Sequence, residues 1–268
     1  MTDENTTETR RLLRKLRDFT DRLDKIYLPK EPYEEEIKET LSNFDMNLEP
    51  NAKTMGYWLF ISYPMIPEDY EANEVDELER LRDVIEVAKV KKDMDRSFPF
   101  TFNKTSGYFP KGRLGFYSSE NYIEGHYAFQ NGLFLLKQIF EEDLRDQKSD
   151  SGNNALCFGD TIELIAKYLT FLKKFYKDIP QGSNVHFKII LDKVMNREFI
   201  PSAKGESISQ GYISFIDNIK IEEDLNIEEL FGSFNAVANR IIRFLLLMFN
   251  ISIDEETINE WLSTFRFV

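Results

Sequence analysis

The stretch Tyr122-Ile-Glu-Gly-His-Tyr-Ala-Phe-Gln-Asn-Gly-Leu-Phe-Leu-Leu-Lys-Gln-Ile-Phe140 constrains this chain more than any other. Two β-prone runs flank Asn131-Gly132, a dipeptide that favours the φ > 0 geometry of a two-residue type I′ turn. Counting outward from that turn sets Phe129 opposite Phe134, Tyr127 opposite Leu136 and Ile123 opposite Phe140. That face is apolar and must meet a core. The other face then carries Glu124, His126 and Lys137, with Leu135 and Ile139 among them. The hairpin puts an antiparallel sheet in the middle of the chain. By itself it names no chemistry.

Composition bounds the rest. Of 268 residues, 42 % are hydrophobic and 23 are Phe, so the core is expected to be built around aromatic rings. The formal net charge of −13 repels phosphate unless basic residues are segregated. One cysteine, Cys157, permits no intramolecular disulfide, which suits a reducing compartment. The N-terminus is polar and acidic, unlike a secretory signal. The longest apolar run, Ile241 to Ile251, is interrupted by Arg243 and too short to span a bilayer. The expectation is a soluble, acidic, cytoplasmic protein that does not engage a membrane.

Periodicity organises the chain as follows. Leu12, Leu16, Phe19, Leu23 and Ile26 form a helical seam that Pro29 and Pro32 stop, and a second helix is expected over Tyr33 to Phe44. With the linker Asn47 to Thr54, this predicts an N-terminal helical arm over residues 1–50 and an α+β domain over 51–268. Tyr57 to Tyr63 reads as a strand. Asn73 can cap a helix whose stripe is Val75, Leu78, Leu81 and Ile85. Leu114 to Ser118 leads into the hairpin, and Asp143 to Asn154 reads as a polar loop. Asp160 with Glu163 has capping-box spacing before a helix burying Leu164, Ile165, Tyr168, Leu169, Leu172 and Phe175. Val185 to Leu191 alternates as a half-buried strand, and Ile208 to Ile219 as another. Asn226 and Glu229 open one long helix to Phe249; Ser252 and Glu255 open a last one carrying Trp261 and Phe265. Hairpins among helices predict an α+β fold: a largely antiparallel sheet with a central hairpin, packed against several helices.

Chemical motifs are sparse. No metal-ligand cluster with recognisable spacing occurs, nor a P-loop, a dinucleotide fingerprint or a nucleophile elbow, and no cofactor is expected. Glu124 and His126 share one strand face, with Lys137 expected opposite His126. Such a group could do acid–base work if it lined a cleft; the plainer reading is a solvated face with cross-strand charge pairing. Cys157 stands before a helix N-terminus, where a thiolate is favoured, although a packing role is the simpler account. Lys104, Lys111 and Arg113 beside Tyr108 and Phe109 combine cations with aromatic platforms in a Gly/Pro-rich loop, a combination that suits an anionic ligand or single-stranded nucleic acid. The first helix adds a second basic cluster at Arg10, Arg11, Arg14 and Lys15, with Arg17 and Arg22 beyond it.

Trp58 to Pro67, the Gly107-Tyr-Phe-Pro loop and Asn131-Gly-Leu-Phe-Leu-Leu followed by Glu141-Glu-Asp resemble the domain found C-terminal to Schlafen-type AlbA-like DNA-binding domains in prokaryotic regulators. The likeness covers residues 55 to 250. No region resembles the DNA-binding domain itself. The resemblance implies a companion role, such as partner binding, sensing or oligomerisation, and carries over no catalytic residue.

The sequence therefore points first to a non-enzymatic interaction or sensing protein, an accessory regulator with a protein partner or a second copy of itself. Its contact candidates are the 104–113 loop and the first helix. A nucleic-acid-associated regulator using the same basic residues is the second reading, and an enzyme with a Glu124/His126 acid–base pair the third.

Overall fold

The computed structural model describes residues 33–48, 50, 52–65, 75–90, 98–99, 107–109, 113–118, 124–129, 131–146, 155–178, 183–200 and 212–265. In chain order the elements are α1 (Glu34–Asn47), a short 3-10 turn (Ala52–Thr54), β1 (Tyr57–Pro64), α2 (Val75–Ala88), β2 (Gly107–Phe109), β3 (Arg113–Ser118), β4 (Glu124–Phe129), β5 (Phe134–Ile139), α3 (Glu141–Asp146), β6 (Ala155–Cys157), α4 (Phe158–Phe175), β7 (Asn184–Asp192), β8 (Glu198–Ile200), β9 (Tyr212–Ile213), β10 (Asn218–Asn226), α5 (Ile227–Gly232), α6 (Phe234–Met248) and α7 (Glu255–Thr264).

The chain divides into two compact units, Met1–Asn43 and Phe44–Val268. The described part of the first is the start of α1. Its first turn carries Glu34, Glu35 and Glu36, where the positive end of the helix dipole favours carboxylates.

In the second unit, seven strands form one sheet in the order β10-β7-β1-β5-β4-β3-β2, and β6, β8 and β9 form a smaller one. Every pairing in the large sheet is antiparallel. The fold is α+β, as the hairpin signal predicts. β1 reads Tyr-Trp-Leu-Phe-Ile-Ser-Tyr-Pro without alternation, and it is buried along almost its whole length. Its central place between β5 and β7 explains why both of its faces are covered.

One face of the sheet packs on α4. Phe60 meets Tyr168 at 4.4 Å between ring centroids, and Phe134 meets Phe171 at 4.5 Å and Phe175 at 5.6 Å. Aromatic pairs in such geometries stabilise by about 0.5–1.5 kcal/mol beyond the area they bury. The Tyr168 hydroxyl donates to the Ile61 carbonyl at 3.1 Å, and burial raises its pKa. The Tyr176 hydroxyl lies 2.9 Å from both Ser62 Oγ and the Gly132 carbonyl, so the end of α4 is tied to the hairpin turn.

That turn departs from the sequence expectation. Phe129 N donates to Leu133 O at 2.9 Å and Gly132 N to Phe129 O at 3.0 Å, with Gly132 at φ 84°. Phe129 and Leu133 thus close the loop, which is one residue longer than a type I′ turn and ends on a glycine in the left-handed region. The register moves by one: Ala128 pairs with Phe134, Tyr127 with Leu135, His126 with Leu136, Gly125 with Lys137 and Glu124 with Gln138. Side chains alternate with period two, so a one-residue slip exchanges the faces of one strand relative to the other. Glu124 and His126 consequently share a face with Phe134 and Leu136, and Lys137 stands on the opposite one. The expected facing of Ile123 with Phe140 lies outside the described residues.

Five smaller expectations also shift. The 143–154 loop begins inside α3. Helix α4 starts at Phe158, with Cys157 in the N-cap position and Asp160 already in the first turn. The orphan Cys157 N–H is satisfied by Glu142 Oε1 at 2.7 Å, a cap from another element that local spacing cannot reveal. The expected 208–219 strand resolves into β9 and β10, the latter running on to Asn226. The long helix from Asn226 is broken at Ser233 into α5 and α6. Asn226 does cap the first of these, accepting from Glu228 N at 2.8 Å, while Asp254, not Ser252, caps α7 through Thr257 N at 2.8 Å.

Candidate functional site

The residues singled out for chemistry separate into three places. On the α4 side of the sheet, His126 Nδ1 lies 3.7 Å from Glu124 Oε1, and both side chains are only 1 % exposed. The imidazole sits 6.0 Å from the Phe134 ring. Gln138, register partner of Glu124, is buried beside them, and its Oε1 has no hydrogen-bond partner among the described residues. The expected solvated face is thus a buried one, because the one-residue slip turns Glu124 and His126 toward the core. At 3.7 Å the two groups are in ion-pair range but beyond hydrogen-bond distance. Acid–base catalysis further requires reach to a substrate, and both groups lie beneath the sheet's packing layer.

Lys137 does not join them. On the opposite face its Nζ contacts Asp45 Oδ1 at 2.6 Å and lies over the Tyr57 and Phe44 rings, 4.1 and 5.1 Å from their centroids. There the segment carrying Phe44, Leu48 and Ala52 forms its own small apolar cluster. A cation held between two rings and a carboxylate is a packing anchor.

The second histidine occupies that same face further along the sheet. His186 Nδ1 lies 2.7 Å from Asp224 Oδ1 and Nε2 lies 3.1 Å from Glu222 Oε1, while the ring stacks on Tyr63 at 4.8 Å. Lys188 and Lys220 also contact Glu222. Burial pushes the Glu222 carboxyl up, but Lys220, Lys188 and His186 outweigh it and hold the group below its usual range.

Of the recognition loop, Tyr108 and Phe109 fall in β2, the outermost strand at one end of the large sheet, and Arg113 opens β3, paired with Phe109 and Phe129. Lys104, Lys111, Arg10, Arg11, Arg14 and Lys15 lie outside the described residues. Cys157 is disfavoured as a nucleophile: burial, with Asp160 and Glu142 nearby, pushes its thiol up to about 11. No group of three or more His, Cys, Asp or Glu side chains suited to a metal occurs among the described residues. No described helix is long and apolar enough to cross a membrane.

Sequence reasoning missed the most exposed large apolar side chain among the described residues. Phe215 is 74 % exposed, and Ile213, Ile216, Ile200 and Met195 around it are exposed as well. They belong to two segments that hold each other. Glu198 pairs with Ile213, Asn196 N donates to Ser214 O at 2.8 Å, Ser214 N donates to Arg197 O at 2.9 Å, and Val194 N donates to Asp217 O at 3.0 Å. Ser214 is fully buried and closes the bend, its Oγ donating to Ile216 O at 2.9 Å.

Arg197 anchors this ridge. Its guanidinium grips Asp143 with two bonds, Nη1 to Oδ1 at 2.7 Å and Nη2 to Oδ2 at 2.6 Å, and lies 4.6 Å from the Phe140 ring centroid. Gly56 N also donates to Asp143 Oδ2 at 2.8 Å. Gly56 admits this approach because a Cβ there would fall 2.3 Å from Phe140 Cε2. The strand expected over 208–219 does not mark Ile213 or Phe215 as exposed. The tie of Arg197 to Asp143 joins the segment facing them to a residue far away in sequence, and no local signal marks it.

The chain was compared with family models, curated proteins and solved structures, and none of them matches it.

Proposed function

We propose that this chain is an interaction protein, an accessory or regulatory module inside the cell that works by docking a protein partner and not by turning over a substrate. The observation that carries this is the ridge around Phe215. A large exposed aromatic, with exposed aliphatic residues on the same two hydrogen-bonded segments, has the makeup of a hot spot, where a rigid anchor enters a partner's pocket at low entropic cost. The bidentate Arg197–Asp143 pair keeps that anchor in place before a partner arrives. The likeness to the companion domain of prokaryotic regulators points the same way, and the single cysteine agrees with a reducing compartment.

The test is capture from native cells by the full chain, with and without nuclease, followed by mass spectrometry and repeated with Phe215→Asp. The expected result is a protein retained by the wild type after nuclease treatment and lost by the variant, with affinity weakly dependent on salt. Capture that needs nucleic acid, with log K falling by about 0.9 per log unit of salt for each phosphate contacted, would establish the nucleic-acid reading through Lys104, Lys111, Arg113 and the first helix instead. Retention of the same partner by Phe215→Asp would remove the ridge as the docking site.

A further inference from the structure

Strand β10 stands at the end of the large sheet with β7 on one side only. The hydrogen bonds at its end fix which residues face β7. Ile227 N donates to Ser183 O at 3.1 Å, continuing the register in which Asn226 faces Asn184. Across β7, Met65 N donates to Asn184 O at 2.9 Å, so the even positions of β7 face β1 and its odd positions face β10. Odd positions of β10 therefore bond inward. Lys220, Glu222 and Asp224, with Asn218 and Asn226 at the ends, turn their main-chain N–H and C=O groups outward, where no described residue pairs with them. A nine-residue edge with open donors and acceptors is a template for another strand.

Two observations select the occupant. First, the edge is its own complement. In an antiparallel pairing about a two-fold axis through Ile221, Lys220 stands opposite the partner's Glu222, and Glu222 opposite the partner's Lys220. Asn218 stands opposite the partner's Asp224, and Ile221 meets its equivalent on the covered face. All outward-bonding positions then pair with outward-bonding positions, as the ladder requires. Along this edge Lys188 and Lys220 stand against Glu222 and Asp224, so the chain's acidity does not oppose a close approach here. Second, an apolar stripe lies beside the edge. Arg240, Phe244 and Leu247 share one face of α6 at i, i+4 and i+7. Arg240 binds Glu223 of β10 at 2.9 Å, which places the start of that stripe at the edge strand. Phe244 is 41 % and Leu247 54 % exposed. A two-fold axis perpendicular to the sheet keeps both α6 helices on the same side of the joined sheet, stripe toward stripe.

We propose that the chain forms a two-fold homodimer in which two β10 strands pair antiparallel about Ile221, extending the sheet through both copies, with the α6 stripes alongside. This surface is built from other residues than the Phe215 ridge. The test is the mass of the full chain by sedimentation and light scattering across concentration, together with residue-level hydrogen exchange. The expected result is a dimer at high concentration, with the Lys220, Glu222 and Asp224 amides slowed as it forms and the odd-numbered amides slow throughout. Glu222→Pro removes an outward donor without touching the β7 ladder and is expected to give a monomer. Lys220→Glu sets like charges opposite each other twice and weakens the dimer roughly tenfold; Lys220→Glu with Glu222→Lys restores it by exchanging the pair. A monomer at every concentration overturns the proposal, as does a dimer in which those three amides stay fast. If Glu222→Pro fails to fold, the exchange pattern of the wild type decides alone. Phe215→Asp should leave the mass unchanged, so failure of the ridge and failure of the edge are read separately.

Discussion

The chain's two histidines sit on the same sheet, each within reach of a carboxylate, on opposite faces. His126 lies on the α4 side against Phe134, its side chain 1 % exposed, with Glu124 at 3.7 Å. His186 lies on the other side, its side chain 14 % exposed, between Asp224 and Glu222. The same two residue types thus serve different ends. In the covered layer each polar group displaces apolar contact and must be satisfied by the protein, so its removal leaves a hole and a stranded neighbour. On the outer face water shares the task, and the cluster sets cross-strand register and charge balance beside the β10 edge.

The contrast is broken most directly by deleting each ring. His126→Ala is expected to cost about 3–5 kcal/mol, the loss of a buried side chain plus the burden of Glu124 left in a dry site. His186→Ala is expected to cost about 1 kcal/mol or less. Urea unfolding measures both, and equal losses would erase the distinction between the faces.

The next largest effect lies at the ridge anchor. Arg197→Met keeps the stacking volume over Phe140 but leaves the partly buried Asp143 without its cation, at a cost of about 2–3 kcal/mol. The same variant should loosen the segment around Ser214, seen as faster amide exchange at Asn196 and Ser214. Unchanged exchange there would show that the ridge is held by its own turn.

Gly132→Ala is expected to cost about 1 kcal/mol or somewhat more, because its φ of 84° suits glycine and strains alanine. Since this turn sets the phase that puts His126 on the covered face, a stabilised Gly132→Ala variant would mean the loop had rearranged.

The smallest effect is in pH dependence, where two carboxyls have opposite signs. Glu222 is held below its unfolded value, so its contribution is present above the unfolded carboxylate pKa and is lost as pH falls through the folded one. Burial first, with Asp160 and Glu141 adding to it, raises Glu142 despite the Cys157 N–H bond. Its contribution is therefore complete below the unfolded pKa and is lost as pH rises through the folded value. Melting temperature against pH should show Glu222→Gln flattening the acid limb and Glu142→Gln flattening the decline that follows it. Effects of the same sign from both would contradict the opposed environments.

Much of the architecture was legible because it rests on local pattern. The alternation over Val185 to Leu191 appears as β7, the apolar stripe of α4 buries the side chains expected of it except Leu164, which is only partly buried, and the unbroken apolar run of β1 marks a central strand. The candidate sites were less legible. Local pattern pairs Glu124 with His126 but gives them a solvated face, sets Lys137 beside them although it belongs with Asp45, and makes the Phe215 segment an ordinary strand. Each miss turns on a contact between residues far apart in sequence: the Tyr176 hydroxyl on the Gly132 carbonyl, Arg197 on Asp143, Lys137 on Asp45.

The amino-acid order by itself determined that the chain reverses at Asn131-Gly132, that its strands pair antiparallel and that helices cover them, because turn propensity and hydrophobic period act over a few residues. Tertiary structure alone decided the hairpin's phase and the direction of Phe215. A left-handed glycine closes a two-residue or a three-residue loop equally well, and packing against α4 selects between registers that bury opposite faces. Which apolar side chains stay outside depends in the same way on where distant segments are fastened, and no window of sequence contains that information.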